Sequence, residues 1–177
     1  GYASHAAAAR LAAAWLLRVA EADVVPFDHE EFARTLGQAT ERIAPQVARA
    51  GGDAAPLLPA WRDMGERAAR FRAVRDSVLA AGTPSRDALA RTNAALRSVE
   101  RRLTRPEGLV GRPWYRSLTY VADVDNGYAT MALPSIGEAL RARDAARVRA
   151  EVADLVTRVQ SAAAALDEAR AALVSAR

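Results

Sequence analysis

The sequence predicts an all-α protein: an up-and-down bundle of four main helices with one long, ordered aromatic and proline-rich loop before the last helices. Hydrophobic residues make up 51% of the 177 residues and aromatic residues only 6%. Alanine is the commonest of the hydrophobic residues, a composition that favours helix over strand. Apolar residues recur at spacings of three and four through most of the chain. The length suits a single domain, residues 1–177.

An apolar stripe predicts the first helix, over residues 5–22. Its members are Leu11, Trp15, Val19 and Ala22. This segment lacks the basic leader and the cleavage site of a signal peptide, so we interpret it as a helix. The abrupt apolar start is typical of a fragment cut from a longer chain. No apolar run approaches the ~20 residues of a membrane span, so no span is expected.

Capping residues predict where the next helices begin. Asp28 precedes the second helix, and Glu31 stands three residues later as its capping-box partner. The third helix is predicted from about residue 56 to residue 81. Ser85 precedes the fourth helix and is expected to cap it.

The last helix follows a short one over residues 135–143 and carries the strongest pattern. Seven apolar residues alternate by three and four along it: Val152, Leu155, Val159, Ala162, Leu166, Ala169 and Leu173. Such a seam fits a helical bundle, and a coiled coil between two chains would show the same seam. We expect the bundle, because the other helices also need a partner.

Residues 104–134, here called the connecting segment, differ from the rest of the chain. Loops longer than ~12–15 residues in compact domains are commonly functional or disordered. The segment contains Trp114, Tyr115, Tyr120 and Tyr128, whose aromatic side chains predict burial and an ordered loop. An ordered aromatic loop on a bundle is either a contact surface or a cover for one end of the bundle. The pattern alone leaves both open.

The sequence contains no complete catalytic constellation. It has no cysteine, and its two histidines, His5 and His29, lie on different elements. The cluster "DHEEF" is interpreted as a helix cap and not as a metal site. The stretch "DVDNG" lacks the closing glutamate of a calcium loop and predicts a turn at Asn126–Gly127. All the basic residues are arginines and they form no concentrated run, so no nucleic-acid partner is expected.

The connecting segment resembles the transferrin receptor-like dimerisation domain, the C-terminal helical domain of glutamate carboxypeptidase relatives. The run "RPWYR" and the later Tyr120, Tyr128 and Pro134 match the family pattern with its spacing. "VVPFD" resembles the junction that follows the family's peptidase domain. Ser117 departs from the pattern, because the family usually has histidine there.

The resemblance implies a non-catalytic domain without a cofactor of its own, cut from a zinc metallopeptidase whose zinc lies in a preceding peptidase domain. It implies a homodimer that also contacts its own and its partner's peptidase domain. The interface candidates are Arg112, Trp114, Tyr115, Arg116 and Tyr120. The compartment stays open.

The resemblance also implies a role in the substrate pocket. In glutamate-cleaving members the segment matching Asn126, Gly127 and Tyr128 reads Asn-Lys-Tyr, and its lysine and tyrosine contact the carboxylate of the terminal glutamate. This chain keeps Tyr128 and has Gly127 in place of the lysine. We therefore expect Tyr128 to enter the pocket, with Asn126–Gly127 as its turn, and the parent enzyme to lack a strong preference for glutamate.

Two other interpretations remain open from the sequence. One is a free-standing ligand-binding or sensor bundle, which would hold an internal cavity and have no use for the connecting segment. The other is a helical enzyme of the chorismate mutase type, with arginines inside the bundle. Its candidates are Arg67, Arg70, Arg75 and Arg97.

Overall fold

The structure is a computed structural model that describes residues 2–175. These residues form six helices and one two-stranded antiparallel sheet. In chain order the elements are α1 (Ala3–Ala20), α2 (His29–Arg49), α3 (Leu57–Ala81), α4 (Arg86–Arg102), β1 (Tyr120–Ala122), β2 (Thr130–Ala132), α5 (Pro134–Arg141) and α6 (Ala145–Val174). The predicted helical class is confirmed. The small sheet inside the connecting segment was not predicted.

Four helices form the bundle, and the longest of them, α6, is its centre. Helices α3 and α4 both pack along α6, α2 packs against α3, and the short α5 lies against α6. All seven residues of the predicted α6 seam are buried. Ala163 and Ala165 beside the seam are also buried, and such small side chains let neighbouring helices approach α6 closely. The seam therefore belongs to the bundle.

The helix caps begin the bundle helices where the sequence predicts. Asp28 Oδ1 accepts a hydrogen bond from the backbone N–H of Glu31 at 2.9 Å, and Ser85 Oγ accepts one from Ala88 at 3.2 Å. The prediction of a full capping box is wrong. The Glu31 carboxylate binds the Arg34 guanidinium one turn further along α2, and this ion pair competes with the reach back to Asp28.

Helix α1 differs from the other long helices because none of its residues is buried. The predicted stripe does not face the bundle: Leu11 is 73% exposed and Trp15 is 64% exposed. The neighbouring Leu16 and Leu17 are exposed as well. Within residues 2–175, no helix combines the length and the apolarity that crossing a bilayer requires.

The linker between α1 and α2 is fixed to the bundle by one asparagine. Asn93 on α4 accepts a hydrogen bond from the Val25 backbone N–H at 2.9 Å and donates one to the Asp23 carbonyl at 2.8 Å. Val24 between them is buried. The junction that precedes α2 therefore has a defined path over α4.

We predict that Leu166→Asp unfolds the protein. Leu166 is fully buried in the seam, and a lone buried carboxylate costs several kcal/mol, a large part of the stability of a domain this size. Leu11→Asp makes the same change on exposed α1 and should shift the free energy of unfolding by less than about 1 kcal/mol. Thermal unfolding followed by circular dichroism separates the two. Equal melting of Leu166→Asp and the parent would show that the seam is not core.

Candidate functional site

The connecting segment is ordered by backbone hydrogen bonds that fold it back on itself. The N–H of Leu118 donates to the carbonyl of Leu103 at 3.1 Å, and the N–H of Arg105 donates to the carbonyl of Arg116 at 2.9 Å. Gly108 has a φ of +70°, and a Cβ there would lie 2.1 Å from the Pro113 carbonyl oxygen. This close crossing of two chain stretches therefore requires glycine at residue 108.

Apolar side chains anchor the same segment to the bundle. Leu109, Leu118, Val121 and Leu133 are buried and belong to the main hydrophobic core. The segment thus does cover part of the bundle, one of the two alternatives left open by the sequence. Whether the connecting segment is also a contact surface depends on its exposed residues.

Charged side chains form a second, polar anchor, which we call the arginine–carboxylate network. It comprises Arg105 and Arg112 of the connecting segment, Glu138 of α5, and Arg147 and Glu151 of α6. Arg105 binds Glu151 with two nitrogens, at 2.9 and 3.3 Å. Arg112 Nε donates to Glu138 Oε1 at 3.1 Å. Arg147 lies between the two carboxylates, 4.0 Å from Glu138 and 3.7 Å from Glu151.

Arg112, an interface candidate from the sequence, is bound to internal partners. Besides Glu138 it donates to the Ala122 carbonyl at 2.9 Å, and its guanidinium carbon lies 4.7 Å from the centre of the Tyr115 ring. The side chains of Arg112 and Glu138 are only 13% and 10% exposed. Arg112 therefore braces the segment from inside, joining it to α5 and to β1.

The other interface candidates divide into two groups. Tyr115 and Tyr120 are half-buried, and the Tyr120 ring meets Phe32 of α2 edge-on at 6.5 Å. Trp114 and Arg116 are exposed, Trp114 at 70%. The expected burial of Trp114 is wrong, because its ring lies on the outer side of the turn.

The turn predicted at Asn126–Gly127 is confirmed as the tip of a hairpin. Strands β1 and β2 pair with Tyr120 opposite Ala132, and residues 123–129 join them. Tyr128 in this tip is fully exposed, so the burial predicted for it is also wrong. The pKa of the Asp123 carboxyl is lowered, first by the backbone N–H of Asp125 and then by Arg141. The tip therefore keeps a charged carboxylate inside its turn.

The "DHEEF" stretch behaves as a helix start in the structure. His29 is buried at the first position of α2, edge-on to the Phe27 ring at 5.7 Å. Burial lowers the pKa of His29 from 6.5 to about 4, and the nearby Asp28 opposes this shift. Among residues 2–175, no three His, Asp or Glu side chains gather as a metal site would require.

The arginines considered for a helical enzyme do not converge inside the bundle. Arg67 bridges Asp63 and Asp167, with Nε of Arg67 2.9 Å from Asp63, at a partly exposed position. Arg75 pairs with its neighbour Asp76, and Arg70 and Arg97 are exposed. No observation on these residues supports a site for a dicarboxylate.

We predict that the buried His29 makes stability depend on pH between about 6.5 and 4. The unfolded chain takes up the proton at 6.5 and the folded chain only at about 4. The contribution of His29 to the free energy of unfolding is therefore complete above pH 6.5 and falls by about 3 kcal/mol as the pH drops to 4. In urea unfolding, His29→Gln should remove this slope, whereas His5→Gln, on exposed α1, should keep it. An unchanged slope in His29→Gln would contradict the assignment.

We also predict that Arg112→Met lowers the free energy of unfolding by about 3 kcal/mol, because the Glu138 carboxylate, only 10% exposed, loses its main partner. The matched variant Arg116→Met removes an exposed arginine four residues away and should cost less than about 0.5 kcal/mol. Chemical denaturation measures both. Similar stabilities for the two variants would mean that the network does not hold the segment.

A helical bundle that leaves a whole apolar helix and the aromatic side chains of Trp114 and Tyr128 exposed has the surface of a domain that contacts other protein. The chain belongs to the transferrin receptor-like dimerisation domain family, whose pattern matches residues 53–167. That range includes the whole connecting segment, so the resemblance seen in "RPWYR" is confirmed.

The chain is also similar to part of a longer protein. The chain is 24% identical over 136 residues to a probable glutamate carboxypeptidase of Arabidopsis thaliana. The matched residues are 77% of this chain but only 19% of the relative. The chain therefore spans about a fifth of that protein's length.

Proposed function

We propose that this chain is the non-catalytic homodimerisation domain of a zinc-dependent peptidase related to glutamate carboxypeptidases, and that its connecting segment completes the substrate pocket of a companion peptidase domain. The observation that carries the proposal is family membership over residues 53–167. The similarity to a much longer probable glutamate carboxypeptidase supports the companion domain.

The zinc of such an enzyme would lie outside this chain. The residues described here do not fit a catalytic zinc, since no cluster of three ligand side chains exists within 2–175. This domain then contributes to the reaction through its contacts with the peptidase domain and through the shape that it gives the substrate pocket. Hydrolysis itself belongs to the companion domain.

Helix α1 supports contact with that companion domain. Its apolar residues, among them Leu11, Trp15 and Leu16, are exposed, and none is buried against the bundle. The helix also precedes the part of the chain that matches the family. An exposed apolar helix of this kind fits packing against a neighbouring domain of the same protein.

The outer side of the connecting segment supports contact with a second copy. Trp114, Val110 and Arg116 of this segment are exposed, and tryptophan and arginine are among the residues enriched at the centres of protein interfaces. Below them the segment is braced by the arginine–carboxylate network. A rigid apolar surface loses little conformational entropy on binding.

We predict that the chain dimerises in a concentration-dependent way in sedimentation velocity. Trp114→Ser should weaken the dimer about thirtyfold or more, as the loss of a central tryptophan does. Trp15→Ser changes the same residue type on exposed α1 and should leave the dissociation constant unchanged. Monomer at every concentration, or a dimer weakened only by Trp15→Ser, would contradict this surface.

Residue 127 determines the expected substrate preference. A lysine ammonium facing a carboxylate in a closed pocket contributes roughly 1.5–3 kcal/mol, and glycine contributes no such contact. A Cβ at Gly127 would meet no atom within 4 Å, and this residue needs no left-handed backbone. A lysine therefore fits at position 127 without strain.

We predict that the full-length peptidase lacks a strong preference for peptides ending in glutamate, and that Gly127→Lys increases this preference about tenfold or more. Thr130→Lys adds the same charge on β2 and should not. Paired peptides ending in glutamate or in a neutral residue provide the kcat/KM ratios. A strong glutamate preference in the parent protein, unaffected by Tyr128→Phe, would overturn the pocket role.

A further inference from the structure

A single arginine joins the hairpin tip to α5. Arg141, the last residue of α5, places one guanidinium nitrogen 2.7 Å from Asp123 Oδ2 and another 2.9 Å from Asp125 Oδ2. These two carboxylates come from the two residues flanking Val124. One side chain thus holds the first residues of the turn that leaves β1.

A chain of hydrogen bonds continues from these ion pairs to Tyr128. Asp123 Oδ1 accepts the backbone N–H groups of Asp125 at 2.9 Å and Asn126 at 3.1 Å. The side-chain oxygen of Asn126 accepts the N–H of Tyr128 at 3.2 Å. The backbone of Tyr128 is therefore linked to Asp123 through these hydrogen bonds.

Beyond these bonds, the tip is closed by two backbone hydrogen bonds: the Asp123 N–H donates to the Ala129 carbonyl and the Ala129 N–H to the Asn126 carbonyl, both at 2.9 Å. Strands β1 and β2 share only three residue pairs, and a two-stranded hairpin alone is marginally stable in water. Val124 in the tip is exposed, and the Tyr128 ring is fully exposed. Buried apolar contacts thus end before the tip begins, at Val121.

We infer that Arg141 is a positioning residue: its ion pairs to Asp123 and Asp125 hold the hairpin tip in the orientation that presents Tyr128 to the substrate. The inference rests on the proposed function of the connecting segment. A tip fixed before binding loses less freedom when the substrate arrives, so the ion pairs should lower KM more than they raise kcat.

The first experiment tests the ion pairs in this chain alone, by amide hydrogen exchange. In Arg141→Met, the N–H groups of Asp125, Asn126 and Tyr128 should exchange about fivefold faster, as expected for the loss of two ion pairs at the protein surface. Asp125→Asn removes one of the two pairs and should give a smaller increase. Arg97→Met, exposed on α4, is the control and should leave the tip unchanged. Equal exchange in Arg141→Met and the parent would overturn the inference.

The second experiment uses the full-length peptidase. Arg141→Met should raise KM severalfold with little change in kcat, and Arg141→Lys, which can still reach one carboxylate, should restore part of the loss. In a Tyr128→Ala background, Arg141→Met should have no further effect, because the residue that it positions is gone.

The outcomes separate the inference from the proposed function. If Tyr128→Ala changes KM but Arg141→Met does not, the pocket role stands and the positioning role of Arg141 is overturned. If neither variant changes KM while hydrogen exchange responds to Arg141→Met, the ion pairs order the tip but the pocket role is overturned, and the positioning role with it.

Discussion

Two carboxylates with little exposure, those of Glu138 and Glu151, impose the constraint on which the connecting segment depends. Their side chains are 10% and 6% exposed, and an unpaired carboxylate at such a site would cost several kcal/mol. Arg105 and Arg112 of the connecting segment approach them from one side, and Arg147 of α6 lies between them. The carboxylates need the arginines of the connecting segment as partners. These ion pairs fix the irregular backbone of the segment to the helical bundle.

This arrangement gives the connecting segment two different sides. Its inner side is tied down by Arg112 and by core leucines such as Leu118. Its outer side carries Trp114 and, at the hairpin tip, Tyr128, both exposed. A rigid support beneath exposed aromatic groups suits recognition, because the groups are already placed when a partner or substrate arrives. We infer the partners of that outer side from the chain's membership of the family over residues 53–167.

The sequence predicts the bundle well because its signals are local. The α6 seam and the caps at Asp28 and Ser85 depend on residues within a turn of one another, and all are found in the structure. The arginine–carboxylate network could not be predicted in this way. Arg105 and Glu151 are 46 residues apart, and nothing in either neighbourhood specifies the other. Strands of three residues are likewise too short to show alternation.

An apolar stripe in the sequence also does not show which surface, if any, it will pack against. The stripe of Leu11 and Trp15 has the pattern of a core helix, yet it is exposed in this chain. Contact between Tyr128 and a companion domain can be measured by replacing Tyr128 with a photo-cross-linking phenylalanine analogue in the full-length protein. We expect cross-links to residues that line the peptidase pocket, mapped by mass spectrometry. Cross-links confined to this domain's own bundle, or none to the peptidase domain, would contradict this expectation.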